Sequence, residues 1–100
     1  MYIKNYASYR SVNAHVDDIF ENVWHHNVKI NGRAQGFTAC YRNKATGNLC
    51  YICTDMIPES YGNMLIRSMA HEKDYTGGHN EYAKTWYDMK SIMQLVTGGI

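Results

Sequence analysis

Cys50 and Cys53 stand three positions apart, the spacing of a metal half-site or a redox pair, and Cys40 adds a third thiol. A structural zinc site takes four ligands, usually from two turn-borne pairs. A thioredoxin-like pair sits at the start of a helix, where its thiolate is stabilised. Neither setting is present. The CxxC falls inside a predicted strand, where positions three apart point to opposite faces, and no second pair follows. The thiols read as buried and inert, with Cys40 and Cys53 on one face and able to pair only under oxidation. No metal or cofactor is expected.

The histidines point no more firmly to chemistry. His25 and His26 close a predicted helix whose start lies near His15. Imidazolium at a helix C-terminus is favoured by the dipole, and adjacent helical histidines diverge by about 100°, which chelates poorly. His71 and His79 bracket the loop over residues 74–80, where either one with a Cys or carboxylate defines a small-enzyme alternative. No GxSxG or HExxH motif supports it, so a non-enzyme is expected. Gly77-Gly78 lacks the surrounding pattern of a phosphate loop and reads as a connector. Lys29, Arg33, Arg42 and Lys44 gather at two hairpins with Tyr41 and Tyr51 nearby, which raises single-stranded nucleic-acid binding as a further alternative.

These residues need elements to hold them. Residues 2–6 alternate weakly and suggest an optional edge strand. Val12, Val16, Ile19, Phe20 and Val23 fall at helical spacing opposite Asp17, Asp18 and Glu21, predicting a helix over residues 11–25 capped by Ser11 or Asn13. Three strands follow, near residues 28–30, 34–42 and 49–54. Asn31-Gly32 suits a two-residue turn, and Lys44 to Gly47 suits a four-residue loop with Gly47 left-handed. Pro58 as a first helical residue, with Tyr61, Met64, Leu65 and Met69 on one face, predicts a helix over 58–72. Asn80 then caps a last helix striped by Tyr82, Trp86, Met89, Met93 and Val96, stopped by Gly98-Gly99.

Register follows from the two loops. Ile30 faces Arg33 and Val28 faces Gln35, while Tyr41 lies opposite Cys50 and Ala39 opposite Ile52. One face then holds Val28, Ile30, Phe37, Ala39 and Tyr41. The other holds Thr38, Cys40, Leu49, Tyr51 and Cys53. Both are substantially apolar, so the second face needs a cover from a helix or a partner chain.

Composition agrees with a folded chain. The sequence has 100 residues, 45% hydrophobic and 19% charged, with a formal net charge of +1, which fits one globular domain over residues 1–100. Near-neutrality disfavours a generic binder of phosphate backbone. No apolar run reaches the length of a membrane span, and the first residues lack an apolar signal region, so a cytoplasmic setting is expected. An odd count of 3 Cys argues against a disulfide framework.

The expected fold is therefore α+β: a three-stranded antiparallel meander, with an optional fourth N-terminal strand, packed with one N-terminal and two C-terminal helices. With 9 Tyr and a single Pro, the composition resembles that of small accessory proteins by which phages and mobile elements block one host protein. The expected function is a module that binds and sterically masks a protein partner. Its contacts are expected from Arg42, Lys44 and Tyr51 at the sheet and hairpin tips, and from Tyr75 and His79 in the loop. Self-association through the last helix or the second face is an alternative use of the same surfaces.

Overall fold

A computed structural model describes residues 9–30, 33–53, 64–74 and 80–98. Its elements are helix α1 (Tyr9–Val16), strands β1 (Phe20–Ile30), β2 (Arg33–Asn43), β3 (Leu49–Cys53), β4 (Met64–Met69) and β5 (Asn80–Ala83), and helix α2 (Trp86–Val96). The strands form one antiparallel sheet in sequential order, β1-β2-β3-β4-β5. The α+β class stands, with five strands and two helices among the described residues. The expected strand over residues 2–6, Pro58 and the Asn31-Gly32 turn lie outside those residues.

Three expected elements are corrected. The helix over 11–25 ends at Val16, and β1 begins four residues later. Val12 and Val16 do use helical spacing to reach the core. Beyond them the sequence FENVWHHNVKI is rich in β-branched and aromatic residues, and pairing along the whole of β2 outweighs the apparent continuation of the helix. The helix over 58–72 is corrected by β4. Its run MLIRSM is too short for periodicity to separate helix from strand, and as a strand it buries both faces. Asn80 caps no helix, because it opens β5. The cap of α2 is Thr85, extended at φ −121° and ψ 159°, whose hydroxyl accepts from the Asp88 N–H at 3.1 Å.

The second hairpin has the expected register. Tyr41 pairs with Cys50 and Ala39 with Ile52. The Asn43 N–H donates to the Asn48 carbonyl at 2.8 Å across the four-residue loop, and Gly47 has φ 78°. In the first hairpin Ile30 pairs with Arg33, but Val28 pairs with Gly36 rather than Gln35. A bulge between Val28 and Lys29 shifts the ladder by one residue. Val28 thus takes the register row next to that of Thr38, not the one of Phe37 and Ala39.

Both helices cover one face of the sheet. Val12 and Val16 of α1 and Met89 and Met93 of α2 pack with Phe37, Ala39, Tyr41, Cys50, Ile52, Met64 and Ile66. Each large aliphatic or aromatic side chain buried there contributes about 1.5–3 kcal/mol. The Tyr41 hydroxyl donates to Asn13 Oδ1, which ties α1 to β2 and satisfies the one polar atom of a buried ring. No helix among the described residues is long and apolar enough to cross a membrane.

Candidate functional site

The second face of the sheet carries its own apolar cluster, in which Cys40, Leu49 and Met69 are buried and Val23, Trp24 and Tyr51 pack against them. Read across the strands, one row runs Trp24, Cys40, Tyr51, Arg67, and the next runs His26, Thr38, Cys53, Leu65, Tyr82. The row on the other side is Glu21, Arg42, Leu49, Met69. Neither α1 nor α2 contributes to this cluster.

A bulge at Val23 makes the face aromatic. Phe20 and Asn22 follow the helix-side alternation, but the ladder resumes with Trp24 opposite Cys40, so Val23 and Trp24 both serve the second face. Asn22 holds the irregularity. Its Nδ2 donates to the Trp24 carbonyl and the Cys40 carbonyl, each at 3.1 Å, while its Oδ1 meets His25 Nδ1 at 3.1 Å. One amide therefore binds carbonyls of both strands where the ladder is interrupted.

The Trp24 ring lies 5.2 Å from the His26 ring and 6.1 Å from the Tyr51 ring, both tilted. The turn after β4 folds back onto this group. Trp24 Nε1 donates to the Glu72 carbonyl at 2.9 Å, and the Glu72 carboxylate pairs with Arg42 at 3.0 Å. Arg42 also meets Glu21 at 3.3 Å. Within the turn Asp74 Oδ2 accepts from the Ala70 N–H at 2.9 Å, and the Lys73 N–H approaches His71 Nδ1 at 3.2 Å. An aromatic ring and a guanidinium are thus held by the two ends of one residue.

Among the expected contact residues, Arg42 and Tyr51 do share this face, in adjacent rows. Lys44 does not join them. Its backbone N–H donates to the Ile19 carbonyl at 2.9 Å and its Nζ to the Asp17 carbonyl at 2.6 Å, so it braces the corner between α1 and β1. Tyr75 and His79 lie outside the described residues. Trp24, His26 and Arg67 were missed. Trp24 fell inside the expected helix over 11–25, His26 at its close and Arg67 inside the one over 58–72, and only strand alternation with the bulge places them beside Tyr51.

Burial disfavours the thiolate form of Cys40 and Cys50. Cys40, Cys50 and Cys53 are all buried and outside any disulfide. Burial, reinforced by the Glu72 carboxylate, pushes the Cys40 thiol up to about 11. Burial pushes Cys50 higher still, with Cys40 adding to it. Among the described residues no group of three His, Cys, Asp or Glu side chains is arranged to hold a metal ion. The chain matches no family model, no curated protein and no solved structure.

Proposed function

We propose that this protein is a binding module that docks a protein partner on the sheet face opposite its helices and acts by occluding it. The observation that carries the reading is the grouping of Trp24, Tyr51 and Arg42 on that face. These are the residue types that dominate interface energetics, and here Glu72 braces Trp24 and Arg42 while Tyr51 lies against the Trp24 ring. Bracing lowers the entropy lost on association, which a small surface must minimise to bind tightly. Three cysteines outside any disulfide fit work in the reducing cytoplasm.

The test is affinity capture with matched surface variants. A partner retained by the wild type and by Tyr87→Ala, on the exposed side of α2, but released by Tyr51→Ala supports the reading. Equal retention by the wild type and both variants overturns it, as does turnover of small substrates by a protein that captures nothing.

A second reading has one specific observation behind it. The rings of Trp24, His26 and Tyr51, with Arg67 in the row of Tyr51, have the make-up of a stacking platform for single-stranded nucleic acid. The two carboxylates on Arg42 and the net charge of +1 weigh against it. Affinity for an oligonucleotide that falls steeply with salt is the result that favours this alternative.

A further inference from the structure

Helix α2 is apolar on two sides. Met89 and Met93 are buried in the core, and Trp86, Ile92 and Val96 pack against it. On the outer side Tyr87 is 81% exposed and Leu95 57% exposed, with exposed Ser91 midway between them. Residues 87, 91 and 95 are spaced by four, so they form one ridge. A lone exposed apolar residue needs no explanation. Here two of the three large exposed ones among the described residues share that ridge.

The ridge is complementary to itself. Counted from Ser91, Tyr87 lies four residues back and Leu95 four residues on, while Asp88 lies three back and Gln94 three on. Lys84 lies seven back, before the helix, and Gly98 seven on, just past its end. That end is the negative pole of the helix, and α2 has no basic residue in its last turn. Each feature thus has its counterpart at the same distance on the other side: aromatic with aliphatic, carboxylate with amide, cation with negative pole. Such a surface fits a copy of itself turned about a two-fold axis.

We infer that a second copy of this chain docks antiparallel along α2, with the two-fold axis at Ser91. Tyr87 of each copy then lies on Leu95 of the other, and the small serine at the crossing lets the helices come close. Charge selects the direction. A parallel pair sets Asp88 on Asp88, Lys84 on Lys84 and the two helix dipoles in the same sense. Lys90, the remaining charged residue of α2, is already paired with Asp18 at 3.0 Å. One helix against one helix buries less than a standard interface, so the dimer is weak and reversible, with a dissociation constant of about 10–100 µM. The sheet faces that carry Trp24 and Tyr51 point away from this contact, which is therefore independent of what they bind.

Sedimentation equilibrium over about 1–500 µM tests this. The expected result is a monomer–dimer equilibrium in which Tyr87→Ala and Leu95→Ala each raise the dissociation constant at least about tenfold, because the axis removes each contact twice. Both side chains are exposed, so the melting temperature of the dilute variants stays near that of the wild type. Gln94→Glu, which sets a carboxylate against each Asp88, is expected to weaken the dimer to a similar degree. Adding Asp88→Asn restores it, by exchanging acid and amide across the axis. A monomer throughout the range overturns the inference. So does a dimer that survives Tyr87→Ala and Leu95→Ala but is lost with Tyr51→Ala, which assigns association to the second sheet face. A dimer sensitive to Tyr87→Ala but indifferent to Gln94→Glu overturns the antiparallel axis. No α2 variant is expected to change capture of a partner through Tyr51, so this inference and the binding-module reading fail separately.

Discussion

Asn43 Nδ2 donates to Thr97 Oγ1 at 3.0 Å, joining the end of β2 to the residue that terminates α2. Both side chains are buried, and every polar atom of each takes part in a hydrogen bond. Asn43 Oδ1 accepts from the Ala45 N–H at 2.9 Å and the Thr46 N–H at 3.3 Å, which shapes the hairpin loop. Thr97 Oγ1 donates to the Met93 carbonyl at 2.6 Å, and the Thr97 carbonyl accepts from Thr46 Oγ1 and Asn48 Nδ2, each at 2.9 Å. The C-terminal end of α2 is thus fastened to a hairpin loop by polar contacts, while Met89 and Met93 supply the apolar ones.

Thr97→Val keeps the shape of that residue and leaves Asn43 Nδ2 buried without its acceptor. The expected cost is about 1–3 kcal/mol. Asn43→Ala is expected to cost more than Thr97→Val, because it also releases the loop N–H groups. Urea denaturation of the two single variants and the double variant checks this. A coupling energy near zero would show that the pair is not an energetic unit.

Asn22→Leu removes the amide that binds both carbonyls at the Val23 bulge. Its expected cost is about 1–2 kcal/mol. Because Asn22 sets where the ladder resumes, Trp24 is expected to loosen from Tyr51 and Glu72. In a Trp86→Phe background, where Trp24 is the sole indole, its emission should move to the red. Unchanged emission with unchanged stability would refute the role given to Asn22.

The buried thiols set an alkaline limit. An unfolded chain loses the Cys40 proton near the ordinary value of 9.0, whereas the native state holds it to about 11. Stability from this group is complete below pH 9 and falls as pH rises toward 11, where the unfolded state binds fewer protons than the native one. Cys50, raised further, extends the fall. Cys40→Ala should flatten the slope of unfolding free energy between pH 9 and 11. Thiol titration of the native protein near pH 8 should be slow, and fast once urea unfolds it.

At the acidic end, Lys90 Nζ meets the Asp18 carboxylate at 3.0 Å and 3.1 Å, joining α2 to the turn before β1. That hydrogen bond holds the Asp18 carboxyl below its ordinary 3.8. A lowered folded value means the contribution is present above 3.8 and is lost as pH falls below it. Carboxyl NMR should show Asp18 titrating upward in Lys90→Met, with little change in stability at neutral pH, as befits an exposed pair.

Residues 37–53 were legible because loop chemistry settles register. Four residues from Lys44 to Gly47, with Gly47 left-handed, leave Asn43 to pair with Asn48, and every partner follows by counting. From that count alone came the division of Phe37, Ala39 and Tyr41 from Cys40, Tyr51 and Cys53. Arg42 and Tyr51 were placed together on the same basis.

Elsewhere local pattern pointed the wrong way. Val12, Val16, Ile19, Phe20 and Val23 satisfy a helix by spacing, and nothing local marks Val16 as the last helical residue. The run Met64 to Met69 is apolar on both sides, so helix and strand bury it equally well, and only the open edge of β3 decides for the strand. A chain of this kind settles by itself those contacts that a turn brings close in sequence. Contacts such as Trp24 with Tyr51, or Asn43 with Thr97, depend on which strands lie side by side and on a bulge at Val23. Hydrogen-bond pairing and burial across the assembled sheet determine these, and no spacing within a single segment encodes them.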